Sequence, residues 1–247
     1  FLFATSVHAG ELTVTGNMEA TYHTGSGLGT AAASDGGTNG NPLGMDRELR
    51  FAGTTELENG ITVSVMQDTT DALAFGDSLI TFGNVAGLVD IYVGSDGDPV
   101  DAIDDVTPTA FEEANGAGSG TYVDVNGNAG QTGVGIKFSL PMLGTVNTKY
   151  YPKIDGSENA DKSSSANAND GVGSAYSIST VTSLGDVYGA LDGATLRLGY
   201  AESEVHTLAN TSDAYDGTVA LNYAYGPLSL GYQKQIATLG DPVGTVA

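Results

Sequence analysis

The residues best equipped for chemistry are carboxylates concentrated between positions 96 and 113. This acidic segment contains Asp96, Asp98, Asp101, Asp104, Asp105, Glu112 and Glu113. Because Ca²⁺ takes several carboxylate and carbonyl oxygens, Asp96, Asp98 and Asp101 could hold it, although their spacing is not that of an EF-hand loop. Paired acids also hydrolyse glycosides, but the adjacent Glu112 and Glu113 are a weak signal of that chemistry. An acidic loop without a metal is the favoured interpretation.

No other constellation of catalytic or metal-binding residues is visible in the sequence. The three histidines, His8, His23 and His206, lie far apart. The chain has no cysteine, which excludes disulfides and thiolate metal sites. No motif places a nucleophile beside a base. We therefore expect a protein that is not an enzyme and has no cofactor, with Ca²⁺ as the one ion considered.

The charge balance restricts the partners. The 247 residues include 30 acidic and 8 basic side chains, for a formal net charge of −22. Nucleic-acid binding needs a cationic surface that displaces counterions, so that class is excluded. A surface of this sign attracts cations instead. No apolar run approaches the roughly 20 residues of a membrane-spanning helix, but β-strands that cross a membrane alternate and leave no such run.

The elements that must position the acidic segment are β-strands, and residues 47–65 show this most clearly. Apolar and polar residues alternate along positions 48–57, as in a strand with one apolar and one polar face. The alternation resumes at Ile61, after Glu58, Asn59 and Gly60. For Leu57 and Ile61 to share a face, the loop must hold three residues, with Gly60 in the left-handed conformation. The stretch predicts a tight hairpin.

Similar alternation predicts about eleven strands between residues 11 and 234. Short connections fall near residues 59, 83, 141 and 226, and longer ones follow residues 24, 68, 95, 154 and 205, with a medium one near residue 182. An antiparallel up-and-down sheet with its long loops at one end has this rhythm, whereas a Greek-key sandwich has no reason for it. The predicted fold class is all-β, an antiparallel up-and-down sheet.

The sequence leaves two possibilities for the apolar face of the strands: it packs in the interior of the protein, or it meets lipid. The polar positions are Glu19, Glu48, Arg50, Glu56, Lys137, Lys149, Arg197, Asn222 and Gln233. In a small water-soluble barrel the apolar face fills the interior; in an outer-membrane barrel it meets lipid, and the polar face lines water. Tyrosines near strand ends on the apolar face suit an interfacial girdle and favour the membrane assignment over sandwich packing. They are Tyr22, Tyr150, Tyr200 and Tyr223.

The length of the chain bears on how much of a barrel it contains. A sheet in lipid must close, because open edges leave backbone groups unpaired. At about 20 residues per strand, a barrel of the 16-strand class needs roughly 320 residues. We therefore expect residues 10–247 to form an incomplete transmembrane β-barrel that lacks about five strands. Residues 1–9 are expected to be the remnant of a secretory signal, with Val7 and Ala9 at the small-residue cleavage positions.

Residues 47–65, RELRFAGTTELENGITVSV, resemble the second and third strands of the general porins of Gram-negative outer membranes. The shared features are a basic residue, Phe-x-Gly, an acidic-Leu pair and Asn-Gly. A weaker similarity runs from GELTVTGNMEATYH to the final hairpin. The resemblance implies a 16-stranded barrel and a homotrimer in outer-membrane lipid and lipopolysaccharide. It also implies a water-filled channel for the passive diffusion of ions and small hydrophilic solutes.

The resemblance also implies roles for individual residues. In porins the third long loop folds into the barrel, and its carboxylates face basic residues on the wall. Here that constriction loop would span about 95–120 and carry the carboxylates of the acidic segment. The implied wall positions are Glu48, Arg50, Lys137, Lys149 and Arg197. Because Glu48, Ala52 and Ser95 stand where porins often have basic residues, we expect a cation-preferring pore.

The alternative is a secreted, acidic, β-rich adhesion protein. Its glycine-rich loops would bind carbohydrate or Ca²⁺, and its apolar strand faces would form an ordinary core. A requirement for detergent distinguishes the two hypotheses, because only the membrane protein needs it to stay in solution.

Overall fold

A computed structural model of the chain describes residues 11–22, 43–69, 74–107, 125, 127–152, 172–205 and 213–238. Eleven β-strands account for most of these residues and form one antiparallel sheet. The strands are β1 Glu11–Tyr22, β2 Leu43–Glu56, β3 Thr62–Thr69, β4 Phe75–Val85, β5 Val89–Gly94, β6 Gly133–Leu140, β7 Gly144–Tyr151, β8 Val172–Ser183, β9 Ala194–Val205, β10 Ala214–Tyr225 and β11 Leu228–Thr238. Each strand pairs with its neighbours in sequence. The predicted all-β, antiparallel up-and-down fold is confirmed.

Helical structure is minor in the described residues. A 3-10 turn spans Asp101–Ile103, an α-helical turn spans Leu184–Val187 and a second 3-10 turn spans Gly189–Leu191. In the part of the chain that the structure describes, none of the helical segments could cross a membrane as a helix. The predicted leader, residues 1–9, lies outside the described residues.

The hairpin between β2 and β3 shows how a local sequence sets the register. The Leu57 N–H donates to Ile61 O at 2.8 Å, and the Gly60 N–H donates to Leu57 O at 2.9 Å. Gly60 has a φ of +80°, which residues with a Cβ rarely adopt. The predicted three-residue loop is confirmed. It brings Thr55 opposite Val63 and so keeps the apolar residues of both strands on one face.

The connections separate into two sets by the end of the sheet at which they lie. Residues 57–61, 86–88, 141–143, 184–193 and 226–227 connect strands at one end, and residues 23–42, 70–74, 95–132, 152–171 and 206–213 connect them at the other. The predicted order of lengths is wrong at two places: 184–193 is longer than 206–213, and 70–74, with five residues, is no longer than 57–61. The pairing of β9 with β10 extends to Ser203 and Ala214, which shortens the loop between them.

The two faces of the sheet differ in composition and in burial. We define the apolar face by Val65, Ile80, Val134, Ile178 and Leu221, whose side chains are between 41% and 48% exposed. The tyrosines that the sequence placed on this face, Tyr22, Tyr150, Tyr200 and Tyr223, are exposed as well. Most buried strand residues lie on the opposite, polar face. They include Tyr92, Lys149, Ser177, Ser179, Ala201, Thr218 and Ala220. A water-soluble sandwich buries its apolar face, so this distribution is the reverse of the one expected there.

Candidate functional site

Residues 95–107, directly after β5, lie across the polar face of the sheet, and we call them the crossing loop. At its start, Lys149 Nζ on β7 donates hydrogen bonds to Ser95 O at 3.2 Å and to Asp96 O at 2.9 Å. The same ammonium group lies 4.8 Å from the centroid of the Tyr151 ring, within cation–π range. Lys149 is only 1% exposed. Carbonyl oxygens and an aromatic ring therefore replace water around this charge.

Amide side chains of the last two strands hold the far part of the crossing loop. Gln233 Nε2 on β11 donates to Ile103 O at 2.9 Å. Asn222 Nδ2 on β10 donates to Val106 O at 2.6 Å, while Asn222 Oδ1 accepts a hydrogen bond from Arg197 Nη1 at 2.8 Å. Contacts from β7 to β11 thus fix the path of the loop over the polar face.

The carboxylate of Asp98 joins three parts of the chain. Its Oδ1 accepts hydrogen bonds from the N–H groups two and three residues ahead, at 2.7 and 3.1 Å. Its Oδ2 accepts the Asn128 N–H at 3.1 Å, where the chain returns toward β6, and the Ser177 hydroxyl of β8 at 2.7 Å. The Tyr151 hydroxyl donates to the same oxygen. Five donors therefore satisfy the lone pairs of a carboxylate that is 1% exposed.

This environment does not fit the calcium hypothesis at Asp98. A bound Ca²⁺ needs oxygens with free lone pairs, whereas the Asp98 oxygens are surrounded by hydrogen-bond donors. Among the described residues, no group of three or more His, Asp or Glu side chains is placed to hold a metal ion. The remaining predicted candidates lie outside the described residues: Glu112, Glu113, His8, His23 and His206.

Small side chains on β8, β9 and β10 make room for the crossing loop. A Cβ at Gly199 would lie 2.9 Å from Ile103 Cδ1. Ala201 is buried in one apolar cluster with Val100 and Val125. The other buried positions on the polar face of β8 and β10 are Ala175, Ser177, Ser179, Thr218 and Ala220. Because interiors are close-packed, larger residues here would push the loop away from the sheet.

Another close fit lies at the start of the crossing loop. The Tyr92 hydroxyl on β5 is 3.1 Å from Gly97 O and 2.6 Å from Asn147 Oδ1. The register partner of Tyr92 is Gly135 on β6. A Cβ at Gly135 would lie 2.0 Å from Tyr92 Cζ. The absence of a side chain at Gly135 is therefore what lets the Tyr92 ring occupy its position.

The described carboxylates of the acidic segment fall into two groups. Asp98 and Asp104 are 1% and 7% exposed. Asp101 and Asp105 are exposed, and Asp96 is intermediate. The expectation that all of these carboxylates face an aqueous gap does not describe Asp98 or Asp104, because the fold buries both. Water therefore reaches the side chains of Asp96, Asp101 and Asp105 in the crossing loop.

The predicted wall residues share the polar face, but their surroundings differ. Arg50 and Lys137 are exposed, and Glu48 is intermediate. Lys149 is buried beneath the crossing loop, and Arg197 is partly buried against Asn222. The expected opposition of wall cations and loop carboxylates across a gap does not describe Lys149. Its ammonium group bonds to the loop backbone instead.

The polar face therefore has two regions, which we name the open wall on β2–β4 and the covered wall on β7–β11. In the open wall, Arg50 makes a two-point ion pair with Asp68, with Nε–Oδ1 at 2.7 Å and Nη2–Oδ2 at 2.6 Å. Arg50 Nη2 also lies 3.7 Å from Glu48 Oε1. Two carboxylates against one guanidinium leave this patch with a formal charge of −1.

Sequence reasoning did not identify the residues that hold the crossing loop as parts of a site. They are Tyr92, Asn128, Asn147, Tyr151, Ser177, Asn222 and Gln233. Each is an ordinary polar or aromatic residue in its local pattern. A usable signal was the recurrence of Gly, Ala, Ser and Thr at alternate positions of three successive strands, at 175–179, 199–201 and 218–220. That pattern marks a surface where another segment packs closely.

An up-and-down antiparallel sheet that exposes its apolar face and carries a loop across its polar face has a porin-like fold. Solved structures of mutant porins from Rhodobacter blastica are similar to this chain. One double mutant has a TM-score of 0.50 and 15% identity, with 95% of this chain and 86% of that chain covered. A triple mutant has a TM-score of 0.49 and 16% identity, with coverage of 95% and 86%. No protein-family model matches the sequence, and no curated protein does either.

Proposed function

We propose that this protein is an outer-membrane porin of a Gram-negative bacterium, a channel and not an enzyme. The eleven described strands are part of a transmembrane β-barrel of the 16-strand type, through which ions and small hydrophilic solutes diffuse passively. One observation carries the proposal: the crossing loop lies on the polar face of a sheet whose apolar face is exposed. That arrangement suits a strand layer between lipid and a narrowed aqueous path.

The distribution of tyrosines on the exposed side supports a membrane setting. At the end of the sheet with the crossing loop, Tyr150 pairs with Tyr176 in register, and Tyr215 occupies the same row on β10. Near the opposite end lie Tyr223 and Tyr225. All of these side chains are exposed, and aliphatic residues fill the band between them. Two aromatic girdles around an apolar band are typical of outer-membrane barrels.

The charges that face water support a preference for cations. Asp96, Asp101 and Asp105 of the crossing loop are accessible. Among the wall cations, Lys149 is buried, and the Arg50 guanidinium is paired with Asp68. A negative potential along an aqueous path concentrates cations and repels anions. The crossing loop, residues 95–107, is the first part of the proposed constriction loop at about 95–120.

The wider setting of the proposal follows the sequence resemblance. The protein would be a homotrimer, with outer-membrane lipid and lipopolysaccharide around its apolar face. Hydrophilic solutes, rather than a tightly bound ligand, would be its transported partners. Neither a catalytic residue nor a cofactor has a part in this function.

Single-channel recording of the full-length protein in a planar lipid bilayer under a KCl gradient tests the proposal. We expect stepwise, ohmic openings and a reversal potential on the cation side. A reversal potential on the anion side would contradict the cation preference but not the channel function. A folded protein that stays soluble without detergent and gives no openings would contradict the pore itself.

A further inference from the structure

We propose that Asp98 is a positioning residue. It holds two limbs of the chain on the covered wall, an outgoing limb in the crossing loop and a returning limb at residues 127–132, and it contributes little to the charge that permeating ions meet. The inference rests on the proposed channel function and deepens it. It divides the acidic segment into a carboxylate that builds the constriction and carboxylates that set its selectivity.

The geometry around Asp98 places it at a junction of three segments. The outgoing limb is held through the N–H groups of Val100 and Asp101, at 2.7 and 3.1 Å from Oδ1. The returning limb is held through the Asn128 N–H, at 3.1 Å from Oδ2. The wall is reached through the Ser177 hydroxyl at 2.7 Å. One side chain thus connects backbone groups about 30 positions apart to β8.

The Asn128 side chain reinforces the same junction. Asn128 Nδ2 donates to Ser177 Oγ at 3.1 Å, and Ser177 donates in turn to Asp98. Asn128 is itself 7% exposed. The backbone and the side chain of one residue therefore both depend on the position of the Asp98 carboxylate. Loss of the carboxylate would release the returning limb as well as the outgoing one.

The charge of Asp98 has an opposite charge nearby, on Lys149. The hydroxyl of Tyr151 donates to Asp98, while the ring of Tyr151 lies 4.8 Å from Lys149 Nζ. Lys149 and Asp98 are both 1% exposed, and their opposite charges lie on either side of the Tyr151 side chain. The buried cation therefore offsets the charge of the buried anion. Ions on the solvent side therefore meet the charges of the accessible Asp96, Asp101 and Asp105 rather than that of Asp98.

The decisive comparison is between Asp98→Asn and Asp105→Asn. The first variant keeps the side-chain shape, but its amide nitrogen cannot accept a hydrogen bond, so some of the five donors lose their partner. We expect Asp98→Asn channels to fluctuate among several conductance levels with little change in reversal potential. We expect Asp105→Asn channels to keep one steady conductance while the reversal potential moves toward zero.

Amide hydrogen exchange in detergent micelles gives a readout that does not require a working channel. In the parent and in Asp105→Asn, the N–H groups of Val100, Asp101 and Asn128 should exchange slowly. In Asp98→Asn they should exchange faster, while the strand amides of β8 stay protected. Should Asp98→Asn fail to fold, Tyr151→Phe removes one donor, keeps the carboxylate and should produce the same change on a smaller scale.

Two results would overturn the inference. Unchanged exchange of these three amides in Asp98→Asn, or in Tyr151→Phe if that variant has to be used, would show that the carboxylate does not hold the loop. A steady Asp98→Asn conductance with a reversal potential shifted as far as in Asp105→Asn would make Asp98 a selectivity charge. Failure of the proposed function is distinguishable, because the parent itself would then give no openings.

Discussion

Strands β3 and β8 have similar patterns and different surroundings. On the apolar face, Val65 of β3 and Ile178 of β8 are exposed to similar extents. On the polar face, Ser64 of β3 lies 3.0 Å from Thr54 Oγ1 in the open wall. Ser177 of β8 is fully buried and bonded to Asp98. At these positions, the two strands differ on the side where the crossing loop lies.

This difference shows that charge alone does not define the site. The open wall carries Glu48, Arg50 and Asp68, which meet water. The covered wall carries small side chains, such as Gly199 and Ala201, on which the loop packs. The loop lies where small side chains leave room for it and where Asn222 and Gln233 bind its backbone. The remaining charges determine what the exposed surface attracts.

The largest expected effect tests whether the apolar faces of both strands meet lipid. Val65→Arg and Ile178→Arg should each lower the free energy of unfolding in lipid vesicles by about 2–4 kcal/mol, the cost of a cation near the bilayer midplane. Ser64→Arg, one position away on the open wall, is the matched control and should be nearly neutral. Urea titrations of the vesicle-bound proteins measure all three. Neutral substitutions on the apolar face would contradict contact with lipid.

The next effect isolates the difference between the polar faces. Ser177→Leu should destabilise the protein by about 2–3 kcal/mol. The leucine side chain is too large for the space beneath the crossing loop, and it cannot donate a hydrogen bond to Asp98. Ser64→Leu, with space on the open wall, should stay within about 0.5 kcal/mol of the parent. The same urea titration compares them. Equal losses of unfolding free energy in Ser177→Leu and Ser64→Leu would contradict the difference between the covered wall and the open wall.

A smaller effect is expected where Tyr92 packs over Gly135. Gly135→Ala should cost about 1–2 kcal/mol, because the new methyl group would displace the Tyr92 ring and its contact with Gly97. Gly189→Ala is the matched control, since nothing lies within 4 Å of a Cβ there. Thermal unfolding in detergent provides the comparison. A Gly135→Ala variant as stable as Gly189→Ala would show that the ring has room to move.

The smallest effect on stability, but a clear one on selectivity, is expected in the open wall. The Arg50–Asp68 pair is partly exposed, so breaking it should cost about 0–1 kcal/mol. Arg50→Gln should move the reversal potential further to the cation side, and Asp68→Asn should move it toward zero. Recordings under one KCl gradient compare the two. Reversal potentials that move in the same direction in both variants would show that the net charge of this patch does not control the ion selectivity.

The faces and the order of the strands followed from the sequence because both depend on local patterns. Alternation around Phe51 assigned the two faces, and Gly60 fixed the hairpin that keeps them aligned. The path of the crossing loop did not follow, because the partners of Asp98 are distant in sequence. Ser177, Tyr151 and Asn128 lie 79, 53 and 30 positions away. Ser177 belongs to the run of alternate small residues at 175–179, but Tyr151 and Asn128 have no local feature that distinguishes them from other strand or loop residues.

The central claim is that the two faces of one strand meet lipid and water respectively. The chain has no cysteine, so Ser64→Cys and Val65→Cys each provide one site for a fluorescent label. In reconstituted vesicles, brominated acyl chains should quench the label at position 65, and aqueous iodide should quench the label at position 64. A label at position 65 that brominated lipid leaves unquenched would contradict the account, because the apolar face would then pack against protein or meet water.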